Sequence, residues 1–530
     1  MRTSVLLLSL FLPACHVAGA ADWNEWRGPE RNGIVGQSPA LLDAWPAEGP
    51  KLLWKSDENV PGDKAGGFGS VVVAGGHVYC YFAPQRTEEI ATRTLGDYNL
   101  AALGWSSKKM PADVRDKVEA ARISAERQAL QTPAEVQAWV KTWVETNLVA
   151  NVKKQFADVV SDRLTRGNTA IDLAVLDKLE AIRKRDFASP AALDQWLDEN
   201  NIQDALRKTI AARFPTSARV RDNVILCLDA ATGKTVWKKV FPGADGEFGA
   251  SCTPCVVNQR CYALGMGGKV FCLDARTGAL LWEGIAGSGE PHSSFLVEDG
   301  AAIVTAGPLT AFDAARGQLL WTNAAFGRTY SSPVRWKKDG KTYVVARAGG
   351  KLGCLEPRTG KLLWSMPDTS DGHASGSSPA IDGDRMAVSA GTINLYKLSL
   401  EKAESYAQVT CPLDYSAGPT IVNGHAYVWG RKGASCISLE TGKLAWTATN
   451  LTACAYSSSV YADGKMFIQG ASSAGGYGDG SLAMFKVSAD KGELLGKAAI
   501  RQTLCTTPAI ADGRVYCRLG DGIACYDLRK

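Results

Sequence analysis

The sequence predicts an all-β protein, an eight-bladed β-propeller that carries one large α-helical insertion in its first blade. Two observations predict the propeller: a motif that recurs about every forty residues, and a chain rich in glycine, tryptophan and tyrosine (54, 15 and 15 of 530 residues). A third predicts the insertion. Residues 86–222 contain only Gly96, Gly104 and Gly167, and neither Cys nor His.

The repeat reads CLDAATGKTVW (227–237), CLDARTGALLW (272–282), AFDAARGQLLW (311–321), CLEPRTGKLLW (354–364) and CISLETGKLAW (436–446). Its terminal tryptophans stand 45, 39, 43 and 82 residues apart, the last being two periods. An alternating apolar lead makes a strand, the Gly marks a tight turn, and the run ending in Trp makes the blade's outer strand. The Trp ring is expected to pack on the neighbouring blade, filling the wedge between twisted sheets.

The elements follow in chain order. Arg2, the apolar run Val5–Leu12 and Ala18-Gly19-Ala20 read as a signal peptide over 1–20, with lipoprotein anchoring at Cys15 as the alternative. Residues 21–85 hold the first half of blade one, preceded by Leu52-Leu53-Trp54. The last blade ends at Tyr526-Asp527-Leu528 without a Trp strand of its own, so Leu52-Leu53-Trp54 is expected to supply it and close the ring. Residues 86–222 are expected to be helical, from apolar spacing in Ala134–Ala150, Lys153–Leu164 and Leu173–Arg183 and start signals at Asp172, Ser189 and Pro190. This segment interrupts strands two (His77–Phe82) and three (Asn223–Leu228). In an up-and-down blade that loop shares a face with the blade-to-blade connections, so the helices are expected above the face where ligands enter. Residues 223–530 complete the propeller; two of its outer motifs are degenerate, with Tyr406 near one Trp position and Gly496 at the other.

Net charge is +5 and no concentrated basic stripe occurs, which argues against nucleic acid. No apolar run after residue 20 reaches the roughly 18 residues of a bilayer-spanning helix. Fourteen Cys in an exported chain suggest disulfides, yet Cys227, Cys272, Cys354, Cys436 and Cys525 share one repeat position, as small core residues do. Cys252-Thr253-Pro254-Cys255 is a CxxC, but it lies on an inner strand rather than at a helix start or knuckle, which favours a structural role. Gly470–Gly480 lacks the ending and the helix of a phosphate cradle and reads as a hairpin loop.

His77 and His425 sit in hairpin turns. His292 and His373 instead precede inner strands, as do Glu247, Glu290, Arg328, Tyr330, Asp371, Asp414, Tyr415 and Tyr456. Inner-strand entries converge on the central channel. Glu290, His292, Arg328, Tyr330, Asp371, His373, Asp414 and Tyr415 therefore form a candidate funnel for an anionic or sugar-like ligand or a protein partner, or a hydrated channel mouth with no ligand. No metal site is read from the residues.

The repeats resemble the quinoprotein-like (PQQ-binding-like) family, over about residues 45–85 and 223–530. That family includes quinone-dependent alcohol and glucose dehydrogenases and the lipoprotein scaffold of the outer-membrane β-barrel assembly machine. Trp23-Asn24-Glu25-Trp26-Arg27-Gly28-Pro29 also resembles the start of exported bacterial members. For a dehydrogenase the resemblance implies an adjacent Cys pair, a catalytic Asp and calcium ligands beside the quinone. The chain has no Cys-Cys dipeptide and no CxxCH haem site, and no position matches the Asp or the calcium ligands. The expectation is thus a periplasmic or secreted binding or scaffold protein, its helices a lid or docking arm, with no cofactor. The alternative is a periplasmic alcohol or sugar dehydrogenase using PQQ with calcium.

Overall fold

Each repeat motif folds as a strand, a turn and an outer strand, and its residue types explain the geometry. In Lys269–Asp274 and Leu280–Ile285, Asp274 accepts hydrogen bonds from the Thr277 backbone N–H and hydroxyl (2.8 and 2.7 Å). Gly278 follows with φ 69°, a left-handed conformation that favours glycine. The same Asp–Thr–Gly turn recurs at Asp229, Thr232 and Gly233. These glycines have a second duty. A Cβ on Gly278 would stand 2.7 Å from the Trp237 ring, and on Gly317 2.6 Å from Trp282.

Each tryptophan thereby bridges two sheets. Trp237 Nε1 donates to Ala275 O (2.9 Å), Trp282 to Ala314 O (3.2 Å), Trp364 to Ser399 O (2.9 Å) and Trp446 to Ser488 O (3.0 Å). The repeated cysteines sit within the sheets, as Cys272 does between Tyr262 and Trp282. All twelve described cysteines are unbridged, as the repeated position predicts.

The computed structural model describes residues 22–246, 249–289, 291–368, 376–413, 417–451, 456–471 and 480–530. Among them the chain forms two units, 22–86 with 219–530, and 87–218. The first is all-β, with eight antiparallel sheets built on four strands each, one extended by Gln85–Glu89. Seven take their strands in chain order. The eighth pairs Lys51–Lys55 with Ile523–Asp527, so the N-terminal strand completes the C-terminal sheet as expected, and Trp54 Nε1 donates to Ala230 O (3.0 Å).

A circle of hydrogen bonds joins the inner strands. The Ser70 N–H donates to Thr253 Oγ1, Thr253 to Ser294, Ser294 to Ser332 and Ser332 to Ser378, at 2.8–3.0 Å. The circle continues from Gly418 to Ser458, Ser458 to Thr507 and Thr507 back to Ser70, at 2.9–3.3 Å. The one step without a hydroxyl is at Gly418. A Cβ there would stand 2.7 Å from Nη1 of the buried Arg27.

The second unit is helical from Asp97–Ala102 to Asp204–Ala211, with one short strand pair, Arg93–Thr94 and Asp186–Phe187, that the sequence did not signal. The expected bounds 86–222 are too wide, because Gln85–Glu89 and Ser217–Asp229 pair as strands. Pro133–Asn147 starts at a capping box between Thr132 and Glu135 and buries Val136, Val140 and Val144. Ala150–Arg166 packs against it through Val160 and Leu164. Leu173–Ala181 and Pro190–Glu199 start at Asp172 and Ser189, the expected signals, and Phe187, Trp196 and Phe214 form their aromatic core. No described helix is long and apolar enough to cross a membrane.

Candidate functional site

Two structural devices shape the central channel of the first unit. The first is the segment 23–35, which threads along the inner strands. Trp23 exchanges backbone bonds with Val73 (2.8 and 2.9 Å), and the Val256 N–H donates to Asn24 O (2.8 Å). Arg31 Nη1 donates to Phe295 O (2.6 Å), Arg335 pairs with Glu25 (2.6 Å), Arg27 Nη2 donates to Pro419 O (2.5 Å), and Val35 N–H to Tyr461 O (2.9 Å). Six of the eight inner strands are thus tied to one short segment. Glu25, Arg27 and Arg31 are each 1% exposed within it. Glu25 is shared by Arg31 and Arg335, and carbonyls of Pro419, Phe295 and Ser294 accept from Arg27 Nη2 and from Arg31 Nη1 and Nη2, which offsets part of the cost of burying these charges.

The second device is strand alternation. Where the chain is extended, residues two before the ring hydroxyls face the same side as those hydroxyls. Phe68, Ser251, His292, Tyr330, Tyr456 and Cys505 stand at those positions, and they line a cavity of about 80 Å³ together with Ser70, Ser294, Ser332 and Trp26. His292 and Tyr330 stack with centroids 4.3 Å apart, and His292 Nδ1 lies 3.2 Å from Ser251 Oγ. Arg431 Nη2 donates to the Tyr456 hydroxyl (2.8 Å) with its guanidinium over the ring. Tyr456 and Cys505 have φ of 65° and 63°, a strained conformation for such side chains at the cavity wall.

Of the residues singled out from sequence, His292, Tyr330 and Tyr456 come together here. Arg328 is exposed two residues before Tyr330, outside the cavity lining, and its carbonyl accepts from Gly349 N–H. Glu247, Glu290, Asp371, His373, Asp414, Tyr415 and the segment 1–20 lie outside the described residues, as does most of Gly470–Gly480. Sequence reasoning missed Phe68, Ser251, Cys505, Trp26 and the ring hydroxyls. The available signal was the small-residue pair recurring at each inner-strand entry, as in Tyr330-Ser331-Ser332 and Cys505-Thr506-Thr507. The CxxC contributes packing: burial pushes the Cys252 and Cys255 thiols well up, and Cys252 Sγ donates to Leu264 O.

The sequence pattern of the family described as outer membrane protein assembly factor BamB matches residues 221–448 and, overlapping, 352–486, together half of the chain. The chain belongs to this PQQ-repeat family. Among solved structures, the BamB-family chain is similar to BamB from Moraxella catarrhalis (16% identity, 57% of this chain, 87% of that one, TM-score 0.45). It is also similar to a europium-containing methanol dehydrogenase (13% identity, 57% of this chain, 81% of that one, TM-score 0.41). A computationally designed protein, Ika8, matches at 15% identity over 58% of this chain and 93% of its own, with TM-score 0.42. No curated protein matches the sequence.

PQQ with calcium, which the family raises, does not fit the described cavity of this BamB-family chain. Its volume falls well below the roughly 300 Å³ at which small-molecule sites begin, and no carboxylate stands among its described lining residues to hold a divalent cation.

Proposed function

We propose that this BamB-family chain is an exported, eight-bladed, non-catalytic propeller that binds a protein partner at the channel mouth. The observation that carries the reading is the small aromatic and hydroxyl-lined cavity of His292, Tyr330 and Tyr456 over Trp26. At about 80 Å³ it suits one protruding side chain rather than a whole ligand. Well-packed aromatic pockets are what anchor residues dock into at interfaces. Arg328 belongs to the surrounding polar rim, with Glu290, Asp371, His373, Asp414 and Tyr415 assigned to it by their positions at inner-strand entries.

The test is retention of a periplasmic protein partner by the wild-type chain and by a His292→Ala/Tyr330→Ala variant. The variant is expected to lose retention at unchanged thermal stability. Undiminished retention overturns the mouth as the site. Dye-linked alcohol or sugar oxidation on adding PQQ and calcium overturns the non-catalytic reading.

A further inference from the structure

The helical unit has its own cavity, of about 230 Å³, between the loop 104–110 and the helices Ala112–Arg122, Ala150–Arg166 and Leu173–Ala181. Its walls divide by chemistry. Trp105, Met110, Val159, Leu173 and Leu176 supply apolar surface. Lys108, Lys109, Arg115 and Arg163 supply four cations against one lining carboxylate, Asp177. Three of these cations are exposed, and their surface ion pairs, such as Lys108 with Asp158 (2.6 Å), cost little to exchange.

Arg163 is different, because its side chain is 1% exposed. Its Nε and Nη2 engage Glu119, and Nη2 also reaches Ile171 O, but Nη1 is buried with no hydrogen-bond partner. Glu119 is itself shared with the buried Arg122 (2.7 Å), so one carboxylate serves two buried guanidiniums. Native proteins seldom leave a buried charged donor without an acceptor. Here the orphan belongs to a residue that lines an amphipathic cavity with a cationic rim.

We infer that this cavity binds a small organic carboxylate with an apolar body, of about the size of benzoate. The carboxylate accepts from Arg163 Nη1 at the buried end, and the apolar body lies against Trp105, Met110 and Leu176. The lysines at the rim raise the local concentration of anions. A guanidinium favours a carboxylate over a neutral hydroxyl because the hydrogen bond is charge-assisted. This site is independent of the channel mouth and stands or falls separately.

Calorimetric titration of the full chain with benzoate, benzyl alcohol and benzylamine at matched ionic strength tests it. Benzoate is expected to saturate with Kd at or below about 1 mM, and the alcohol and amine to bind at least about tenfold more weakly. Leu173→Trp fills the cavity without touching Arg163 and is expected to abolish benzoate binding. Arg163→Lys, which removes the forked donor, is expected to weaken it about tenfold. If the lysine variant does not fold, the cavity-filling variant decides the question alone. Equal affinity for benzyl alcohol, undiminished binding by Leu173→Trp, or no saturation by about 20 mM benzoate overturns the site.

Discussion

Trp45 packs on Gly496, so closely that a Cβ added to the glycine would stand 2.9 Å from the Trp45 side chain. Gly496 pairs with Met484 at the register position that tryptophan holds in other sheets, as Trp446 does opposite Cys436. A tryptophan from outside the repeats thus takes the place of the one the repeat lacks, and its ring lies near Phe467 (6.3 Å). In the other degenerate sheet Ala407 holds the register position, and the adjacent Tyr406 reaches Leu439 O (2.7 Å).

This arrangement predicts that Trp45→Ala lowers stability by about 2 kcal/mol, less than full burial would give because the ring is half-buried. Gly496→Leu expels the ring and is expected to cost at least as much. Urea unfolding monitored by near-UV circular dichroism measures both; a midpoint unmoved by either variant refutes the substitution of one tryptophan for another.

The circle of hydroxyls predicts a different pair of effects. Ser332→Ala leaves the buried Ser294 N–H without its acceptor, at a cost of about 1–3 kcal/mol. Adding the missing hydroxyl by Gly418→Ser is expected to destabilise rather than help, because Arg27 already occupies that space. Thermal midpoints of the two variants should both fall, and a rise for Gly418→Ser contradicts the assignment.

Excision of the helical unit should leave the β unit folded, provided the cut respects one arginine. Arg221 Nη1 donates to Ala83 O and Nη2 to Lys64 O, so it belongs to the sheet side. Replacing 87–218 with a short Gly-Ser loop is expected to keep a cooperative transition. Extending the replacement to 86–221 removes the arginine and is expected to lower the midpoint further. Equal midpoints for the two deletions count against the role given to Arg221.

Buried thiols make the fold sensitive to alkali. Burial pushes Cys411 and Cys436 up to about 11, and Cys227, Cys272, Cys354 and Cys525 to about 12. A raised folded-state value means the unfolded chain ionises first. Stability is therefore whole below about pH 8.5 and lost as pH rises toward 11–12. At pH 8 the half-buried Cys505 in the cavity wall should be alkylated by iodoacetamide before any fully buried cysteine. Mass mapping of the labelled peptides checks the order, and early labelling of Cys272 or Cys354 is the contrary result.

Much of this architecture was legible because it is written locally. The Asp–Thr–Gly turn, the tryptophan four residues after its glycine and the alternation between them lie within eleven residues, as at 272–282. The helix starts at Asp172 and Ser189 are equally local, and at Ser189 the side chain caps an amide three residues on. The pairing of Leu52-Leu53-Trp54 with the last strand is long-range, yet it followed from counting: one sheet lacked a strand and one strand lacked a sheet.

The sequence by itself determined the repeat, its turns, the strand that closes the C-terminal sheet and the helical character of the middle of 86–222, though not its strand-forming ends. Only the tertiary structure decided which segment ties the inner strands together and which residues line the cavity beside it. Arg27 meets Pro419 across 392 positions and Arg335 meets Glu25 across 310, and no local pattern encodes either partner. The ring hydroxyls were hidden for a related reason. Serine and threonine at a strand entry look like ordinary small residues until adjacent sheets bring each hydroxyl within reach of its neighbour's amide. Turns and caps are settled by the covalent neighbourhood, whereas a channel lining is settled by which strands converge, a property of the assembled ring alone.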